Sequence, residues 1–129
     1  MSQAPVRVAM IGAGSMANRV HYPSLADEPN AEMVAICDLD ESRMNATADK
    51  FGIEKRFTDY RQMIETVAPD AVYAIGQPEF MYPIWCWLLS HGLDLFVEKP
   101  LGLTLHQATN LAYLKTLIGA QDARSEDKV

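Results

Sequence analysis

Cysteines, basic residues and long apolar runs are all scarce in this chain. Its two cysteines, Cys37 and Cys86, stand far apart with no ligand cluster beside them. They offer no framework for disulfides or a metal centre, and two buried thiols are the expectation. Lysine and arginine number 11 against 17 acids, giving a net charge of −6. No clustered cation is there to hold a nucleic-acid backbone. The longest uncharged stretch, residues 80–93, is broken by Pro83, Ser90, His91 and Gly92 and is too short to cross a bilayer. Near the N-terminus, the first apolar run is only strand length and contains Arg7, unlike a secretory leader. A reducing cytoplasm is the expected compartment, with neither nucleic acid nor membrane as partner.

What the chain does have is a regular alternation. A composition that is 49% hydrophobic over 129 residues supports one sizeable core but not two full domains. Short apolar runs at 6–11, 33–37, 71–75 and 95–97, with a weakly signalled one at Arg56-Phe57, alternate with helix-period stretches. That pattern predicts an α/β fold, a doubly wound parallel sheet covered on both faces. Helices are expected after the first strand as far as Pro23, from Asp40 to Gly52, and after Thr58. A fourth runs up to Gly92 with Pro83 in its first turn, and a last one starts at the capping box Thr104/Gln107. Residues 1–118 form the expected domain, and 119–129 a disordered tail or truncation remnant.

Chemistry concentrates where strands end. The first strand runs into Gly12-Ala13-Gly14-Ser15-Met16-Ala17, a dinucleotide fingerprint with alanine at its third position. Gly12 permits the tight turn and Gly14 the close approach of a diphosphate. The N–H groups of Ser15 and Met16 open the helix toward it. Asp38 closes the second strand 21 positions past Ala17, where a carboxylate accepts ribose hydroxyls and repels a 2′-phosphate. NAD is therefore favoured, while Arg43, one helix turn on, is placed to reach a 2′-phosphate and permit NADP as well. Asp40 is the better helix cap, which leaves Asp38 for the ribose. Gly76-Gln77-Pro78 follows a later strand and is either a plain turn or a nicotinamide-side contact. Glu98 and Lys99, held by Pro100, follow the last strand. They are either a solvated pair or a proton-transfer lysine with a lowered pKa and an orienting acid. His91 is expected to cap carbonyls and His106 to be exposed. His21 is assigned to packing or the helix surface, and only one of Trp85 and Trp87 should face inward.

From about Val6 to Leu114 the chain resembles the amino-terminal domain of the glucose–fructose oxidoreductase, inositol dehydrogenase and MocA-like (Gfo/Idh/MocA) family. The resemblance is carried by Val8-Ala9-Met10-Ile11-Gly12-Ala13-Gly14, His21-Tyr22-Pro23-Ser24-Leu25, Val34-Ala35-Ile36-Cys37-Asp38, Phe57-Thr58-Asp59-Tyr60, Pro69-Asp70-Ala71-Val72-Tyr73 and Gly92-Leu93-Asp94-Leu95-Phe96-Val97-Glu98-Lys99-Pro100-Leu101. It implies NAD- or NADP-dependent oxidation or reduction of a carbinol carbon in sugars, inositols and related polyols. It also implies a catalytic role for Lys99 and a cis bond at Lys99–Pro100. Many members read Thr-Pro-Asn followed by a histidine where this chain has Gly76-Gln77-Pro78 and Met81. In the family a second domain supplies the substrate pocket, the catalytic His and Asp, and the open sheet used for homo-oligomers. None of these is assigned here, so turnover is not expected of these residues alone. The rival readings are a non-catalytic nucleotide-sensing module and a Rossmann-like methyltransferase, and Glu98-Lys99-Pro100 argues against the latter.

Overall fold

The computed structural model describes residues 4–98. Lys99, Pro100, the helix expected from Thr104 and the tail 119–129 lie outside the described residues.

Strand β1 (Val6–Ile11) lies at the centre of a five-stranded sheet. It pairs in parallel with β2 (Ala31–Cys37) on one side and β4 (Ala71–Ala74) on the other. A two-residue β3 (Arg56–Phe57) extends the β2 side and β5 (Asp94–Phe96) the β4 side, again in parallel. The order β3-β2-β1-β4-β5 reverses direction between β1 and β4, so a crevice opens there at the carboxyl ends of the strands.

Period-two alternation along β1 sends its side chains to two separate cores. Val8 and Met10 join Tyr22 and Leu25 of α1 (Tyr22–Ala26) and Met44 and Ala48 of α2 (Glu41–Phe51). Ala9 and Ile11 face the opposite way, onto α3 (Tyr60–Val67) and α4 (Pro78–Ser90). Helices thus cover both faces, as the continuously apolar strands predict.

Local chemistry sets the helix ends. Asp40 caps α2 by accepting from Arg43 N–H, and left-handed Gly52 (φ 70°) stops it. Asp59 caps α3, which follows Thr58 as expected. The carboxyl end of α3 is finished from afar, since the Arg7 guanidinium donates to the carbonyls of Val67 and Ala68.

Two prolines behave differently from the sequence expectation. Pro23 does not end the first helix. A π turn (Ala17–His21) precedes it and leads directly into α1, with Tyr22 N–H donating to Ala17 O. The wider turn accommodates a ring that would press on the carbonyl four residues back. Pro83 is not in the first turn of α4, because Pro78 takes that position and the helix starts five residues earlier. Pro83 lies inside the helix but on its exposed side, where the carbonyl it leaves unbonded can meet water.

Candidate functional site

At the end of β1, Gly12 adopts φ 99° and donates to Cys37 O. A Cβ there would collide with the carbonyl oxygen of Ile75, so glycine is required on both conformational and steric grounds. Ala13 N–H donates to Asp38 Oδ2 at 2.8 Å. Two of the loop's N–H groups are therefore used internally. Among the described residues, Gly14, Ser15 and Met16 N–H form no hydrogen bond across the loop, and a Cβ added at Gly14 would meet nothing within 4 Å. The open position is the one where close approach was expected, next to the orphan donors of a helix start.

The loop's carbonyls are tied back. Asn18 Nδ2 donates to Ala13 O (2.9 Å) and Gly14 O (3.0 Å), while Thr47 Oγ1 of α2 donates to Asn18 Oδ1 (3.0 Å). Tyr22 OH, fully buried, donates to Gly12 O at 2.7 Å. Burial and the Asp38 charge push that phenol's pKa above its ordinary value. Sequence reasoning missed all three residues. A polar side chain one turn into the helix after a glycine loop is the signal that could have flagged Asn18.

Asp38 is buried at 7% exposure. Besides Ala13 N–H, its carboxylate accepts from Asp40 N–H (2.9 Å) and from Arg43 Nε (3.2 Å) and Nη2 (3.0 and 3.1 Å). The sequence reading gave Asp38 to ribose hydroxyls and Arg43 to a 2′-phosphate, with no bond foreseen between the two. Here the half-exposed Arg43 covers the acid in a two-nitrogen fork.

At β4 the backbone turns through Gly76 and Gln77 into α4. Gln77 is the extended residue before the helix, and its side chain makes no capping bond. The buried Met81 packs beneath both turns: a Cβ on Gly76 would lie 2.5 Å from its Cε, and one on Gly12 3.5 Å. Trp85 is the inward tryptophan, its Nε1 donating to Ala74 O, while Trp87 stacks on His91. His91 reaches the Trp87 carbonyl as expected of a cap. At the end of β5, Glu98 Oε1 lies 2.7 Å from the buried His21 Nε2. Lys99 falls outside the described residues.

Comparisons with known proteins agree with this fold. The Gfo/Idh/MocA model, described as an oxidoreductase family with an NAD-binding Rossmann fold, matches residues 6–117. D-glucoside 3-dehydrogenase of Escherichia coli K12 is 34% identical over 111 residues, covering 86% of this chain and 32% of that protein. Myo-inositol 2-dehydrogenase of Lactobacillus plantarum superposes with a TM-score of 0.77 at 31% identity, covering 85% of this chain and 32% of that one. An Agrobacterium radiobacter oxidoreductase solved with NAD+, L-tartaric acid and magnesium shares the fold, with a TM-score of 0.81 at 24% identity over 90% of this chain and 34% of that one. This chain thus spans about a third of the length of the relatives it matches. From its fold, its glycine turn and these matches, the chain belongs to the Gfo/Idh/MocA family of NAD-binding Rossmann-fold oxidoreductases.

Proposed function

We propose that residues 1–118 are the cofactor domain of a dehydrogenase acting on a sugar- or polyol-type carbinol, with NAD the preferred cofactor. The observation that carries this is the open loop at Gly14, where an added Cβ would meet nothing within 4 Å and, among the described residues, the N–H groups of Gly14, Ser15 and Met16 form no hydrogen bond across the loop. An anionic diphosphate fits that surface, which combines free donors with the positive end of a helix. Gly12 and Ala13 shape the loop. Asp38 takes the adenosine ribose hydroxyls once Arg43 releases it, and the freed guanidinium suits a 2′-phosphate, which extends the site to NADP. Gly76, Gln77, Pro78 and Glu98 flank the nicotinamide half.

When bound, the nicotinamide supplies hydride acceptance or donation. This chain's part is to orient it and, through Lys99, to move a proton to or from the substrate hydroxyl. Glucoside and inositol dehydrogenases among the relatives support the substrate class. Those proteins are about three times as long as the matched region, so binding without turnover is expected of these 129 residues. Calorimetric titration with NAD, NADP and S-adenosylmethionine tests the reading. NAD should bind most tightly; binding of S-adenosylmethionine alone, or of none of the three, overturns it.

A further inference from the structure

Asn18 and Thr47 are polar side chains beside the glycine turn to which the cofactor reading gives no role. Asn18 is half-buried in the π turn, and Thr47 lies on the buried face of α2 with Met44 and Ala48. The Asn18 amide nitrogen carries two hydrogens, and its two acceptors are the consecutive carbonyls of Ala13 and Gly14, at 2.9 and 3.0 Å. Its oxygen is met by the Thr47 hydroxyl at 3.0 Å. Both carbonyls therefore point at one nitrogen. Across a planar trans peptide the N–H points opposite to the C=O. The Gly14 and Ser15 N–H groups are thereby turned together toward the open side of the loop, where Ser15 and Met16 are exposed. The Gly12 carbonyl is drawn inward in the same way by the Tyr22 hydroxyl, at 2.7 Å. Three successive carbonyl oxygens, each of which would repel a diphosphate, are withdrawn from the surface it would use. A valine at 47 would fill the apolar face of α2 at lower desolvation cost, so the hydroxyl is explained by the amide it holds. The same helix grips the loop a second time, because Arg43, one turn before Thr47, holds Asp38, which accepts from Ala13 N–H.

We infer that Asn18 is a positioning residue, anchored by Thr47, that keeps the loop's carbonyls inward and its free N–H groups aimed at the cofactor diphosphate. Both of its donor hydrogens are already used, so it acts without touching the ligand. This rests on the cofactor reading above. Paired substitutions separate the Thr47 hydroxyl from the space it fills: Thr47→Ser keeps the hydroxyl and loses the methyl, and Thr47→Val does the reverse. In the full chain, titrated calorimetrically with ADP and NAD, Thr47→Val should weaken both by about fivefold, the scale of one neutral hydrogen bond. Thr47→Ser should keep both affinities within about twofold. Asn18→Asp has the same shape, lacks both donors and adds a negative charge, so it should weaken both by about tenfold or more. Thr47→Val should also shift the ligand-free amide resonances of Gly14 and Ser15, a readout that holds even where Asn18→Asp fails to fold.

A residue that only fills space would tolerate valine at least as well as serine. Binding by Thr47→Ser no better than by Thr47→Val, undiminished binding by Thr47→Val, or unmoved Gly14 and Ser15 resonances would each overturn the assignment. Should the unaltered chain bind neither ADP nor NAD, the cofactor reading falls and takes this inference with it. Should it bind both while Thr47→Val and Asn18→Asp change nothing, the inference alone is lost.

Discussion

At the β2 end of the ligand edge, Asp38 is buried and both of its oxygens are committed, to two backbone N–H groups and to Arg43. At the β4–β5 end the contacts among the described residues are chiefly ring on ring, with one close polar pair, His21 with Glu98, whose second carboxylate oxygen has no partner among those residues. The first end is saturated, so a ligand there must displace a protein partner. The second retains acceptor capacity and can gain a ligand bond without losing one of its own. A carboxylate offers about four acceptor positions, and the difference in how many are filled separates an exchange site from an addition site.

The largest effect should come from the turn between the two ends. Gly12→Ala forces a Cβ against the Ile75 backbone at φ 99°. A backbone oxygen cannot swing away, so a loss of about 3 kcal/mol or more is expected in thermal or urea unfolding. Gly76→Ala meets the side chain of Met81, its Cε at 2.5 Å and its Cγ at 3.0 Å, which can shift where a backbone oxygen cannot, and a smaller loss of about 1–2 kcal/mol is expected. Equal costs would show that the two turns are equally rigid and erase the contrast. Next in size, Asp38→Ala strips two backbone donors of their acceptor and leaves Arg43 without its acid. Stability should fall by about 2–3 kcal/mol and NAD affinity by roughly 1.5–3 kcal/mol, with the gap to NADP narrowed. Unchanged calorimetric affinity would remove Asp38 from the ribose. Arg43→Ala tests whether the β2 end really works by exchange. Its half-exposed side chain predicts less than about 1 kcal/mol of stability. NAD should bind more tightly, because no partner needs displacing, and NADP more weakly. A drop in both affinities would make Arg43 a support for the acid and not its cover.

How much of this was legible depends on whether the signal was local. The first strand, Val6–Ile11, is bounded in the structure as its apolar run predicts, and the weakly signalled pair Arg56-Phe57 is a strand. Asp40 and Gly52 act as the cap and stop that their chemistry implies. The prolines misled because a proline marks an interruption without saying how the chain absorbs it. Pro23 is absorbed by a π turn and Pro83 by an exposed helix side. In the site, Gly12 and Gly14 could be read because backbone conformation and open space are demands on one residue. The Asp38–Arg43 fork and the Asn18–Thr47 tie could not, since each depends on how α2 lies against the loop. His21 was assigned to packing, and it is indeed packed, but its acid partner is 77 positions later and comes near only through the β1-β4-β5 strand order.

The smallest effect concerns Cys37, which sits next to Asp38 at the saturated end. Burial, then the Asp38 charge, pushes its thiol up to about 12 from an ordinary 9.0. The folded state therefore keeps this proton at pH values where the unfolded chain has lost it. Stability linked to Cys37 is complete below about pH 9 and declines as pH rises toward 12. Tyr22, raised by burial and by the same acid, falls away in an overlapping alkaline range. Cys37→Ala should flatten the alkaline slope of urea midpoints without abolishing it, because Tyr22 still contributes. An identical slope would mean that the thiol titrates alike in both states and that the field of Asp38 is already neutralised by Arg43. Repeating the measurement in Arg43→Ala separates these cases, since an acid stripped of its cation should steepen the Cys37 contribution.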